Sequence, residues 1–143
     1  MLTNHKENPW LLVEDDEVDQ LLFTKAYKEA GILNPLVIKN NGEEALAYLR
    51  QNEKIPFMII SDINMPRMNG LELLKEVKAE NALLKNIPFI IFSSSTSEIE
   101  VERSYEFGVQ GYFQKPIKQI EFVKIVSQIK NYWIACEHPF NSK

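Results

Sequence analysis

The sequence has almost no cysteine, no long apolar run, no excess of positive charge and no low-complexity stretch, and each lack narrows what the chain does. The single Cys136 has no partner for an internal disulfide, and the opening Met1-Leu2-Thr3-Asn4-His5-Lys6-Glu7 carries no apolar signal-peptide core. A reducing cytoplasmic setting is the expectation. No apolar stretch approaches the roughly 20 residues needed to cross a bilayer, so no membrane is expected as a partner. The formal charge of -4 gives no general attraction to nucleic acid. With neither linker nor repeat, 143 residues fit one ordinary domain, long enough to bury a core without disulfides or structural metal. That domain is expected over residues 8–136, with flexible termini at 1–7 and 137–143. An apolar share of 45% and a charged share of 25% are those of a globular protein.

Against these absences stand short apolar runs separated by helical periodicity. Trp10 to Val13, Leu36 to Ile38, Phe57 to Ile60 and Phe89 to Phe92 are rich in β-branched and aromatic residues and read as buried strands, with Tyr112-Phe113 as a fifth. After Asp16, the residues Val18, Leu21, Leu22, Ala26 and Ala30 form one apolar stripe, with Gly31 as a C-cap. A second helix is expected from Glu43 to Gln51. A third follows Gly70 with Leu71, Leu74 and Val77 facing inward, and a fourth lies between Thr96 and Gly108, with Glu98 and Glu100 near its positive end. In the last helix Phe122, Ile125, Val126, Ile129, Tyr132 and Trp133 share one face. Five strands alternating with five helices predict parallel crossovers and a doubly wound, flavodoxin-like (βα)5 fold of strand order 2-1-3-4-5.

Polar groups stand at the C-terminal ends of three of these strands. Glu14-Asp15-Asp16 follow the first, Asp62 follows the third and Lys115-Pro116 follow the fifth, and an open parallel sheet brings such ends to one rim. Taken alone, Asp16, or Asp15, reads as readily as a simple cap of the first helix as it does as a functional acid. Asp62 changes that balance, because clustered carboxylates raise one another's pKa unless a cation neutralises them. Mg²⁺ suits such a site, since it takes one or two protein carboxylates and keeps waters for an incoming phosphate. The ammonium of Lys115 would pair with the carboxylates at rest and hold phosphoryl oxygens afterwards. Pro116 makes the bond before it a candidate cis peptide. Ser93 ends the fourth strand with a hydroxyl, within a Ser93–Ser97 stretch that also reads as a polar loop with helix caps.

The chain resembles a response-regulator receiver domain of two-component signalling over nearly its whole length. The carriers are Val13-Glu14-Asp15-Asp16, Asp62-Ile63-Asn64-Met65-Pro66 through Asn69-Gly70, Phe92-Ser93-Ser94 and Tyr112-Phe113-Gln114-Lys115-Pro116, weak singly and specific in this order. The resemblance implies that Asp62 is the phosphoacceptor for a histidine kinase, with its carboxylate as nucleophile. It assigns Mg²⁺ to Asp15 and Asp62 directly, to Glu14 through water and to the backbone carbonyl of Asn64. Lys115 and Ser93 would hold the transferred oxygens, and Asp16 would cap the helix. Ser93 and Tyr112 would form the switch, with Tyr112 turning inward on phosphorylation and repacking the face made by the fourth predicted helix, the fifth strand and the last helix. Otherwise Tyr112 is a half-buried strand aromatic with its hydroxyl in water. Ser94 is small enough to admit a phosphodonor or water, and Asn64 and Ser95 flank that access.

Few residues follow the last helix, so output is expected through binding rather than through a further domain. The ending Asn131-Tyr132-Trp133-Ile134 with Pro139-Phe140 is similar to the tails of small stand-alone regulators, including those paired with bacterial phytochrome kinases. Tyr132 and Trp133 either close the core or bury aromatic surface in a homodimer. His5 and His138 read as exposed tail residues, not phosphoryl carriers. Expected partners are a sensor histidine kinase, a histidine phosphotransfer protein and a second copy of the chain. Two alternatives remain open at this point. One is a phosphorylation-independent adaptor on the same fold. The other is a phosphohydrolase of the haloacid dehalogenase type, which needs a second acid where this chain has Asn64.

Overall fold

Residues 8–51 and 54–137 are described by the structure, a computed structural model. The expected strands form as β1 (Trp10–Val13), β2 (Leu36–Lys39), β3 (Met58–Ser61), β4 (Phe89–Ser93) and β5 (Gly111–Gln114). Between and after them run α1 (Glu17–Glu29), α2 (Gly42–Gln51), α3 (Gly70–Lys78), α4 (Ala82–Lys85), α5 (Glu98–Glu106) and α6 (Gln119–Ala135). All strand pairs are parallel and the order is β2-β1-β3-β4-β5, the doubly wound arrangement read from the sequence. Val13 lies opposite both Lys39 and Ser61, so β1, β2 and β3 end level. Because Ser61 pairs with Ile91, β4 runs two residues further and carries Ser93 above that line.

Alternation along the strands divides the core in two. Leu11, Val13, Ile59, Phe89 and Ile91 face the α2 and α3 side with Leu46, Leu73, Leu74 and Val77. Trp10, Leu12, Met58, Ile60, Ile90 and Phe92 face the α1 and α6 side with Phe23, Tyr27, Phe122, Val126 and Ile129. Burial on both faces explains why the central strands read as continuous apolar runs. Burying an apolar side chain of this size contributes roughly 1.5–3 kcal/mol, so the two clusters dominate the stability.

The phase of α1 differs from the expected stripe. Phe23, Ala26 and Tyr27 are buried, whereas Val18 and Leu21 are 65% and 71% exposed. At 100° per residue the latter two point away from the buried set. The aromatics prevail because they join a cluster: Trp10 meets Tyr27 edge-on at 5.3 Å and Phe23 meets Phe92 edge-on at 6.0 Å. Gly31 follows the last helical turn at φ +74, with its N–H on Lys28 O, as a C-terminal glycine should. In α3, Leu73 is also buried and Leu71 only half-buried. The short α4 was absent from the sequence reading, since one turn has no periodicity to detect; Asn81 caps it and Leu84 anchors it.

In α6, Tyr132 is exposed, so it does not close the core, while Trp133 packs against the α1-side cluster. The Lys115–Pro116 bond is trans, as is every other peptide among the described residues. An X-Pro bond keeps a trans preference of about 0.5–1 kcal/mol, which suffices here. The expected tail positions His5, His138, Pro139 and Phe140 lie outside the described residues, as do the termini at 1–7 and 138–143. Glu137 is exposed. No helix among the described residues is long and apolar enough to cross a membrane.

Candidate functional site

Ladder hydrogen bonds continue one residue past three strands and root the functional side chains. Glu14 N–H bonds Lys39 O at 2.9 Å, Asp62 N–H bonds Val13 O at 3.0 Å and Lys115 N–H bonds Ser93 O at 2.8 Å. Asp62 is further fixed by its Oδ1, which accepts the Ile63 N–H at 2.7 Å. Behind it Gly70 packs so closely that a Cβ there would run into the Asp62 carbonyl oxygen, and only glycine fits. Asn69 caps α3 in a reciprocal capping box with Glu72, which holds that helix end against the loop. The far end of the loop is tied to α2, where Gly42 N–H bonds Met68 O at 2.9 Å.

Lys115 gathers the acids. Its Nζ lies 2.7 Å from Glu14 Oε1, 2.8 Å from Asp19 Oδ2 and 3.1 Å from Asp62 Oδ2, with the lysine side chain 8% exposed. Glu14 and Asp62 are buried and Asp15 is exposed at the mouth. Burial pushes the Glu14 carboxyl up to about 7, although its bond to Lys115 pulls the other way. Burial alone would lower the pKa of Lys115; the bonds to Asp19 and Glu14 outweigh it and hold the ammonium above the usual lysine range. One cation shared by three carboxylates is thus well satisfied itself, yet leaves the acids short of positive charge.

Oxygens of Glu14, Asp15 and Asp62 all lie within 4.8 Å of one another. A hard divalent cation with oxygen ligands fits this donor set, and Asp15, exposed at the mouth, leaves an approach from solvent. Asp16 caps α1, accepting from the N–H groups of Val18 and Asp19, as expected of it. Ser93 and Tyr112, expected to form the switch, are both tied to the loop at Ser95. Ser93 is fully buried and its Oγ accepts the Ser95 N–H at 3.1 Å, within its own loop. Tyr112 is half-buried, and its hydroxyl donates to Ser95 O at 2.9 Å instead of resting in water. Asn64 is exposed on the loop after Asp62. Asp19 was missed by the sequence reading, because an acid in a first helical turn is ordinarily explained by the helix dipole. The available signal was its place in the first turn of the helix that starts just after the Glu14-Asp15-Asp16 cluster.

A doubly wound sheet with an acid cluster and a buried lysine at the C-terminal rim of its strands is the arrangement expected of a receiver domain. Residues 10–127 match the response regulator receiver domain, and the chain belongs to that family. Over 129 residues it is 35% identical to the response regulator Rcp1 of Synechocystis sp., covering 87% of each protein. It superposes on the phosphorylated cyanobacterial phytochrome response regulator RcpA with a TM-score of 0.85 and 32% identity, over 93% of this chain and 99% of RcpA. The Mn²⁺-bound form of Rcp1 gives a TM-score of 0.82 and 33% identity, over 92% and 99% of the two chains. Receiver domains work with sensor histidine kinases.

Proposed function

We propose that this chain is a stand-alone response regulator of the cytoplasm, phosphorylated on Asp62 in a Mg²⁺-dependent reaction with a sensor histidine kinase. The observation that carries this is the setting of Asp62, whose carboxylate lies 3.1 Å from the Lys115 ammonium and within 4.8 Å of oxygens of Glu14 and Asp15. Asp15 and Asp62 would hold the ion, with Glu14 acting through water and Asn64 offering its backbone carbonyl. When bound, Mg²⁺ offsets negative charge on the transferring phosphoryl group. Asp62 supplies the attacking oxygen. Lys115 and Ser93 then donate to the new phosphoryl oxygens, for which Ser93 gives up its bond with Ser95. Ser95 in turn carries the Tyr112 hydroxyl, so its release reaches the α5, β5 and α6 face used for partner binding or for a homodimer. The protein assists its own phosphorylation and dephosphorylation but is not an enzyme acting on a separate substrate.

Exposed apolar side chains flank the mouth. Val18 and Leu21 on α1 and Ile117 and Ile120 after β5 are exposed; Val18 adjoins Asp19 and Ile117 lies two residues after Lys115 in the chain, and Asp19 and Lys115 are joined at 2.8 Å. A kinase helix pair covering this rim would bring its phosphohistidine to Asp62. The likeness to Rcp1 and RcpA supports a phytochrome-type kinase as donor, and a histidine phosphotransfer protein could use the same patch. Asn64 is an amide, so the haloacid dehalogenase alternative lacks its second acid.

Intact mass after incubation with acetyl phosphate and Mg²⁺, with size-exclusion chromatography, tests the proposal. Wild type is expected to gain one phosphoryl group and Asp62→Asn none. Equal labelling of the two would refute it, and partner binding indifferent to phosphodonor would favour the adaptor alternative.

A further inference from the structure

Four residues close a ring of hydrogen bonds at the site. Lys115 Nζ donates to Glu14 Oε1 at 2.7 Å, and the other oxygen of Glu14 accepts the Asp16 N–H at 3.1 Å. Asp16 Oδ1 accepts the Asp19 N–H at 3.1 Å, and Asp19 Oδ2 returns to Lys115 Nζ at 2.8 Å. Three of these members are pinned independently: Glu14 by its ladder bond to β2, Asp16 by its cap bond to Val18, and Lys115 by its own ladder bond to β4. Asp19 is therefore a fixed arm on a rigid helix start, not a mobile surface acid.

A lysine ammonium has three N–H donors. Two are spent on Glu14 and Asp19, which leaves one, and that one points to Asp62 Oδ2. Lys115 starts at the end of β5 and must lean across β4 to reach Asp62 on β3. Glu14 alone fixes Nζ along one direction. Asp19, from the helix above, supplies the second direction.

Resting on the phosphoacceptor reading, we propose that Asp19 is a positioning residue for phosphoryl transfer, aiming the third N–H of Lys115 at the transferring group. In the step concerned, an oxygen of Asp62 attacks phosphorus, the bond from phosphorus to the donor oxygen breaks, and the donor leaves with that electron pair. With acetyl phosphate the leaving group is acetate. As Asp62 becomes an acyl phosphate, the third N–H passes from its Oδ2 to a phosphoryl oxygen, while the bonds to Glu14 and Asp19 persist. Asp19 thus acts through hydrogen-bond acceptance. Were its role only negative charge, it would hinder an anionic donor.

The two roles separate on substitution. Asp19→Asn keeps an acceptor oxygen without the charge, and Asp19→Ala loses both; Asp19→Ser, too short to reach, is a second variant should Ala unfold the helix start. Phosphorylation by acetyl phosphate is followed by intact mass, and the Lys115 Nζ resonance by NMR on ¹⁵N-lysine protein without phosphodonor. Asp19→Ala is expected to slow phosphorylation roughly tenfold and to expose or shift the Lys115 resonance, with Asp19→Asn staying close to wild type in both. In a Lys115→Ala background, Asp19→Ala should add nothing. Equal rates for Ala, Asn and wild type, equal acceleration by Ala and Asn, or additivity with Lys115→Ala would overturn the inference. If wild type takes no phosphoryl group, the phosphoacceptor reading fails, whereas an unchanged Lys115 resonance in Asp19→Ala defeats the positioning role alone.

Discussion

Lys115→Met keeps much of the side-chain length and deletes the ammonium, which leaves Glu14 and Asp62 buried without a cation while Asp19 is free to turn to solvent. Breaking a buried ion pair by removing one partner costs about 3–5 kcal/mol. Protonation offers the stranded Glu14 an escape, and each pH unit of acidification lowers its cost by about 1.4 kcal/mol. The penalty is therefore largest in the alkaline range. With a urea dependence of about 2 kcal/mol per molar, the midpoint of the variant should fall by about 2 M at about pH 8 in chelator, and by clearly less at about pH 6. Excess Mg²⁺ should stabilise the variant more than wild type, because the ion then replaces the missing positive charge. Urea unfolding curves at the two pH values, with and without Mg²⁺, make the comparison. A variant within about 0.5 kcal/mol of wild type at about pH 8, or a loss independent of pH, would refute the reasoning, since only surface-like pairs are that weak.

Three further outcomes follow from other contacts. Because burial raises Glu14 from 4.5 to about 7, the folded state holds a proton there that the unfolded chain releases, so metal-free stability should fall as pH rises across that window. Urea unfolding of wild type and Glu14→Gln checks this, the variant lacking that part of the slope. Gly70→Ala drives a Cβ into the Asp62 carbonyl and should cost about 1–3 kcal/mol and weaken divalent-ion binding, read by titration calorimetry. Gly31→Ala is its control, strained by φ +74 but with open space around it, and should leave ion binding unchanged. Tyr112→Phe removes the bond to Ser95 O, and should cost about 0.5–1.5 kcal/mol in thermal unfolding while shifting the amide resonances of Ser95 to Ser97.

How far the sequence discloses this molecule depends on which interactions are local. The strands of a doubly wound sheet are apolar on both faces, so their runs stand out, and the acids and lysine that follow them are placed on one rim by topology alone. Capping by Asp16 and by Asn69 is equally local. The phase of α1 is not, because its aliphatics and its aromatics lie on different faces. Only the presence of Trp10, Phe57 and Phe92 across the interface decides for Phe23 and Tyr27. Nor is the hydroxyl of Tyr112 legible, since its acceptor is a backbone carbonyl seventeen residues away. Asp19 escapes for the same reason: its partner is ninety-six residues distant, and its local environment already explains an acid there.

The over-anionic crevice bears on how the site could carry a signal. Burying Glu14 and Asp62 beside a single shared ammonium adds little to stability, since replacing such a buried ionic group by apolar side chains is often neutral or stabilising. On the proposed reading, transfer would add further negative charge to that same place. The site would accept it by drawing in positive charge and by reassigning the few donors it has, the third N–H of Lys115 and the hydroxyl of Ser93. Each reassignment would release a neighbour. For Ser93 that neighbour is Ser95, which holds both Tyr112 and, through its Oγ, the Ser97 N–H next to the start of α5. A crevice with enough cations at rest would take the phosphoryl group without disturbing its surroundings, and would carry no signal.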